Sequence, residues 1–186
     1  MKNNKKNIPI AYLVTFRCYA TWFHGDKRLS VDPKHNVFGT PRIKENSGLE
    51  KAMKDGCIED KFIMNPQHRE TVLQSIIDTC EYNRWYLHAA HVRSNHAHIV
   101  LRSDLTGKET RTRIKIYATK YLKRNHIDLS QRKNFWSEEG SAKEIWRPES
   151  LFPTMYYVIE EQGGKRMALY YEKEYDEIDR SSYFIF

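Results

Sequence analysis

The stretch SNHAHIVLR at residues 94–102 constrains this chain more than any other part of it. In a β-strand successive side chains alternate between two faces, so His96 and His98 share one face while Ala97, Ile99 and Leu101 share the other. The apolar set can pack against helices. The two imidazoles are then left together on the opposite face, close enough to share one cation. An isolated His-x-His pair arises easily by chance. Here a clean apolar alternation runs directly through the pair, and that gives it weight.

The surrounding chain reads as strands interleaved with helices. Residues 12–19 (YLVTFRCY) are rich in β-branched and aromatic side chains and predict a first strand. Residues 21–61 then dissolve into Gly, Pro, Asp and Asn, including HGD and FGTP, as a long loop-like insertion. Asn65-Pro66 has the form of an N-cap followed by an N1 proline. Val72, Leu73, Ile76, Ile77 and Cys80 recur at helical spacing, which predicts a helix over 66–83. A strand over 85–92, a turn at Arg93-Ser94-Asn95 and a strand over 96–102 make a hairpin. Residues 108–124 form a basic amphipathic helix with Ile114, Tyr117, Ala118, Tyr121 and Leu122 inward. A loop from Trp136 to Trp146 leads to a last helix that ends near Gln162, where Gly163-Gly164 stops it. This divides the chain into a polar tail (1–10), one domain (11–164) and a Tyr- and Glu-rich tail (165–186). The expected class is α+β, a sandwich with a central antiparallel sheet that carries the His-x-His strand.

The 186 residues suffice for one domain with its own core. A formal net charge of +7 suits a polyanionic partner, although many basic domains bind no nucleic acid. Cys18, Cys57 and Cys80 are odd in number and form no Cys-x-x-Cys pair, so they read as reduced thiols rather than a disulfide framework or a zinc knuckle. The basic start lacks the cleavage site of a signal peptide. No apolar run reaches the roughly 18 residues that span a bilayer. A cytoplasmic protein with no membrane partner is expected.

Two histidines leave a divalent ion's coordination unfinished. A hard cation such as Mg²⁺ or Mn²⁺ seeks oxygen ligands and open positions. The segment PTMYYVIEEQGG supplies oxygens: Tyr157 and Glu161, four apart, share a helical face, and Gln162 is adjacent. On the basic helix, Arg111, Arg113, Lys115, Lys120, Lys123 and Arg124 could track a phosphate backbone. Trp22, Trp136 and Trp146 could stack on unpaired bases. His24, Asp26, His88 and His91 read as structural.

These segments resemble the single-tyrosine HUH transposases, the insertion-sequence-200-like superfamily that includes the REP-associated tyrosine transposases. VRSNHAHIVL resembles the HUH signature, AYLVTFRCYATWFHGD the first strand and its Thr-Trp turn, FWSEEGSAKEIWRPESL the Trp loop, and YYVIEEQGG the helix of the catalytic tyrosine. The matches run in family order over residues 11–164. The resemblance implies a ferredoxin-like fold, with His96 and His98 binding Mg²⁺ or Mn²⁺ and Tyr157 as the nucleophile. It implies a 5′-phosphotyrosine link, a free 3′-OH, and single-stranded or hairpin DNA as partner, handled by one chain or a homodimer. A phenol of pKa near 10 needs a nearby cation or base to assist its ionisation. Many relatives carry a Gln or Asn ligand four residues after the tyrosine. Here Glu161 holds that position and Gln162 follows, so both stand as candidates. The alternatives are a non-catalytic nucleic-acid-binding module of ferredoxin-like fold, a domesticated nuclease that processes REP palindromes, and a metal hydrolase that uses free water.

Overall fold

The structure, a computed structural model, describes residues 8–23, 46–163 and 167–177. Its elements are β1 (Ala11–Cys18), α1 (Ser47–Asp55), α2 (Pro66–Asn83), β2 (Tyr86–Val92), β3 (His96–Arg102), α3 (Gly107–Asn125), β4 (Trp136–Ile145), α4 (Leu151–Ile159), β5 (Leu169–Tyr171) and α5 (Glu174–Glu177). One five-stranded sheet runs in the order β4-β1-β3-β2-β5, antiparallel throughout. The chain path β1-α2-β2-β3-α3-β4 through the order β4-β1-β3-β2 is the ferredoxin-like arrangement. β5 extends the sheet beyond β2.

Local chemistry sets the two long helices. Asn65 caps α2, its side-chain oxygen accepting from the His68 N–H at 2.7 Å, with Pro66 in the first turn. Thr106 and Glu109 form a reciprocal capping box on α3. Both helices pack on one face of the sheet. Val72, Ile76, Ile114, Ala118 and Leu122 there meet Val14, Phe16, Ile99 and Leu101. The other face carries a smaller core, in which Phe152, Met155, Val158 and Ile159 of α4 lie on Ala89 and Val100. Nine residues of helix do not persist alone in water. Each of those buried side chains contributes roughly 1.5–3 kcal/mol, and this burial holds α4 on the sheet.

Three expectations need revision. The stretch 136–146, read as a loop, holds β4 (Trp136–Ile145), an edge strand along β1. Its polar sequence suits a strand with one long edge in water. Gly140 lets the two strands close, since a Cβ there would sit 2.6 Å from the Thr15 carbonyl oxygen. The insertion 21–61 holds helix α1 between Asn46, its N-cap, and Gly56. The tail 165–186 supplies β5 and the buried Tyr175, which stacks on Phe152 with ring centroids 5.4 Å apart. Residues 1–7, 24–45, 164–166 and 178–186, with His24, Asp26 and Gly164 among them, lie outside the described residues. Among the described residues, no helix is long and apolar enough to cross a membrane.

Tyr175 thus ties the end of the chain to the layer that carries α4. Tyr175→Ala should cost about 3–5 kcal/mol of unfolding free energy, as aromatic-to-alanine changes in cores do. Denaturant unfolding measures it. A loss below about 1 kcal/mol would mean that the segment after residue 167 is no part of the core.

Candidate active site

The site is built on the central strand. β3 turns Ala97, Ile99 and Leu101 toward α2 and α3, and so turns His96 and His98 toward the α4 layer. The two imidazole centroids are 4.8 Å apart. Each ring is held at Nδ1. His98 Nδ1 lies 2.8 Å from Thr15 Oγ1, its cross-strand partner on β1. His96 Nδ1 lies 2.7 Å from Asn95 Oδ1, an acceptor, so Nδ1 carries the proton there. This leaves Nε2 of His96 with its lone pair, as outer partners of metal-binding histidines do.

α4 brings the phenol. The Tyr157 ring stands 5.4 Å from the His98 ring, near perpendicular to it, and the residue is 38% exposed. Tyr156, about 100° around the helix, is half-buried and packs toward Phe152. His91 on β2, paired with His98, lies with Nδ1 3.1 Å from the Val158 carbonyl oxygen and so fastens α4 to the sheet. His88 is bonded instead to Glu172 at 3.0 Å.

The helix ends at Ile159, three residues earlier than its sequence implies. Residues 160–162 form a turn, and Gly163 follows in the left-handed region at φ 65°. Counting four residues from Tyr157 therefore no longer finds the same face. Glu161 is exposed on the turn, while Gln162 folds back beside His96 and His98, where its amide favours their protonated forms. Its Nε2 donates to the Tyr157 carbonyl at 2.9 Å, which turns the amide oxygen to the two rings. Arg93, whose guanidinium donates to the Gly163 carbonyl, holds the far end of this turn.

Burial pushes the His96 imidazolium down to about 4, with the charges of Arg93, Arg17 and His91 adding to it against the opposing Gln162 contact. Burial likewise pushes His98 down to about 3, with the positive charges of His96, His91 and Arg17 adding. Both rings are neutral at pH 7, the form in which imidazole binds a metal. The arrangement can therefore hold a cation on two ring nitrogens and an amide oxygen, beside a phenol.

Arg17 and Arg93 escaped the sequence reading. Arg17 lies opposite His96 in the β1–β3 register, and its guanidinium sits 3.2 Å from the centre of the Trp22 ring. Its signal was the alternation Leu13, Thr15, Arg17 on β1. The basic residues of α3 belong to the layer on the opposite face of the sheet. Arg111 donates to the Gly140 carbonyl, Arg113 to Asn83 Oδ1 and Lys115 to the Ser137 carbonyl, so these three stitch α3 to its neighbours. Lys120 and Lys123 lie over the Tyr117 and Phe135 rings, and Arg124 is exposed. Trp136 is part of the core, donating from Nε1 to Thr119 Oγ1 at 2.9 Å, whereas Trp146 is 45% exposed. A separate group, His68, His126 and Asp128, could also hold a metal ion, with donor atoms all within 4.8 Å of one another.

No protein-family model matches the chain, and no curated protein matches it. Among solved structures, that of a REP-associated tyrosine transposase bound to a REP hairpin is similar, at 12% identity and a TM-score of 0.43. The match covers 82% of this chain and 66% of that one. A likeness of this extent decides neither fold nor activity.

The depressed histidines make the metal-free protein acid-sensitive. Below about pH 6.5 the unfolded chain protonates these rings while the folded chain does not until about 4 and 3. The unfolded state then binds more protons, so stability contributed by these groups is present above 6.5 and falls as pH drops through that window. Denaturant midpoints from neutral pH downward should decline accordingly, with the NMR shifts of both rings flat through about 6.5. A His98 ring that titrates near 6.5 would contradict this.

Proposed function

We propose that this chain is a metal-dependent single-stranded DNA endonuclease and strand transferase of the single-tyrosine HUH transposase kind. It cuts and rejoins DNA at hairpin or palindromic sequences through a 5′-phosphotyrosine on Tyr157. The observation that carries the reading is the convergence on one sheet face of Tyr157, His96, His98 and Gln162, with the Tyr157 ring 5.4 Å from His98 and the Gln162 amide beside the imidazoles. The donor set suits a divalent ion: neutral rings with Nδ1 engaged, and an amide oxygen between them. His96, His98 and Gln162 would hold Mg²⁺ or Mn²⁺, which when bound supplies charge neutralisation at a phosphate oxygen.

The chain's own groups do the rest. Tyr157 Oη attacks phosphorus and loses its proton to solvent. The P–O3′ bond breaks, the 3′ oxygen takes up a proton, and the 5′ phosphate stays on the tyrosine. Rejoining reverses the step, with the 3′-OH attacking the phosphotyrosine, so no nucleotide cofactor is consumed. His91 and Thr15 keep α4 and the His98 ring in register for this encounter. Arg17 and Arg93 add fixed positive charge beside His96, suited to an anionic backbone. Lys120, Lys123 and Arg124 offer further phosphate contacts on the other side of the sheet. A water-using hydrolase or a non-catalytic binding module would leave Tyr157 without a task.

With labelled hairpin DNA and Mg²⁺, the wild type should give a denaturation-resistant protein–DNA adduct. Tyr157→Phe should bind and give none, Tyr156→Phe should still give it, and EDTA should abolish it reversibly. Adduct from Tyr157→Phe, or full activity in EDTA, would overturn the reading.

The third ligand is tested separately. Gln162→Ala should weaken Mn²⁺ binding by about 10–100-fold, the range in which even outer partners of a metal act. Glu161→Ala should leave it within about twofold of wild type. The opposite ranking by calorimetry would return the ligand to Glu161.

A further inference from the structure

We propose that His68, His126 and Asp128 form a second metal site, of the kind that takes Zn²⁺, which fastens the start of α2 to the end of α3. This stands independently of how His96 and His98 are used. His68 is in the first turn of α2, His126 caps the C-terminus of α3, and Asp128 lies two residues beyond that, in a short 3-10 turn. Three residues from two helices thus bring their donor atoms within 4.8 Å of one another. The two imidazoles stand edge to face with centroids 4.5 Å apart, and His68 Nε2 is 3.9 Å from Asp128 Oδ2.

The donor types choose the ion. Two imidazole nitrogens and one carboxylate make a donor set of the kind that borderline Zn²⁺ takes. Three protein ligands leave a fourth position for water. Access comes from the Asp128 side: His68 is buried, His126 half-buried, and the Asp128 side chain 67% exposed. Typical Zn–N and Zn–O bonds of about 2.0–2.2 Å require the three donors to draw in, and the exposed carboxylate is the one free to swing.

The outer partners agree. Thr71 Oγ1, one helical turn along α2 from His68, is 2.8 Å from His126 Nε2 and so sets that ring's orientation, leaving Nδ1 for the ion. On His68, Nδ1 meets the Asn65 N–H only at 3.4 Å. Coordination at Nε2 moves the ring proton to Nδ1 and gives up that long contact, together with the 3.3 Å contact between Nε2 and Asn65 Nδ2. The shorter half of the cap, Asn65 Oδ1 accepting from the His68 N–H at 2.7 Å, is untouched.

The test uses the full chain with Zn²⁺ for melting shifts and Co²⁺ for visible absorption. Zn²⁺ should raise the Tm of the wild type and also that of the His96→Ala/His98→Ala double variant, in which Co²⁺ should still show d–d bands. His126→Ala and, in case that variant folds poorly, the surface change Asp128→Asn should bind one equivalent of Zn²⁺ fewer by dialysis. Affinity at this site should fall at least about tenfold, since loss of a ligand costs no less than loss of an outer partner. The proposal is overturned if Zn²⁺ leaves the wild-type Tm unchanged, if the double His96/His98 variant loses the whole response, or if Asp128→Asn and His126→Ala respond as the wild type does.

Discussion

β3 is the middle strand of five, and each of its residues answers to one of two unlike layers. A strand at the centre of a sheet has no free edge and no choice of face, because a slip of one residue would exchange every side chain between the layers. Ala97, Ile99 and Leu101 are wholly buried under α2 and α3. That requirement fixes the orientation of His96 and His98 without any demand from chemistry. The larger core aims the site, and its packing energy opposes any register that would hide the imidazoles. Thr15 and Arg17 follow from the same fact, since the β1–β3 register sets them beside the two rings.

The second layer is thin. It consists of a short helix held by four buried side chains, His91 at its last turn, and a tail that returns through β5 to place Tyr175 against Phe152. The phenol rides on the helix, whereas the amide that meets the histidines rides on the turn after it. On the proposed function, nucleophile and ligand are thus carried by different mechanical units. The turn has its own anchor in the contact of Arg93 with Gly163, at the mouth of the β2–β3 hairpin.

Much of this was legible where periodicity and burial agree. The His-x-His strand, the capped helix after Asn65 and the basic amphipathic helix each carry a pattern that local physics alone enforces, and the structure has them within a residue or two. β4 was missed because an edge strand needs alternation on one face only, and SEEGSAKE presents little that is apolar. The end of α4 was misplaced because EEQ is good helix sequence, and what stops the helix is tertiary: the Gln162 and Arg93 contacts win over local propensity. Glu161 was a candidate ligand on the assumption of continuous helix and by its place four residues after the tyrosine in the family resemblance. The grouping of His68 with His126 had no signal in the sequence, because the residues lie on separate helices and meet only through packing. Arg17 and Arg93 were visible as residues but not as neighbours of the site.

Two neutral imidazoles, one amide and two guanidinium groups make a pocket that is positive before anything enters it. A divalent ion arriving alone meets repulsion that its three neutral donors only partly overcome. An anion arriving alone meets attraction but no metal. Each lowers the electrostatic cost of the other, so their occupancies are thermodynamically coupled, and by linkage the coupling is reciprocal. On the proposed function the site would then act as a coincidence detector, filled when ion and polyanion are present together and weakly occupied by either one.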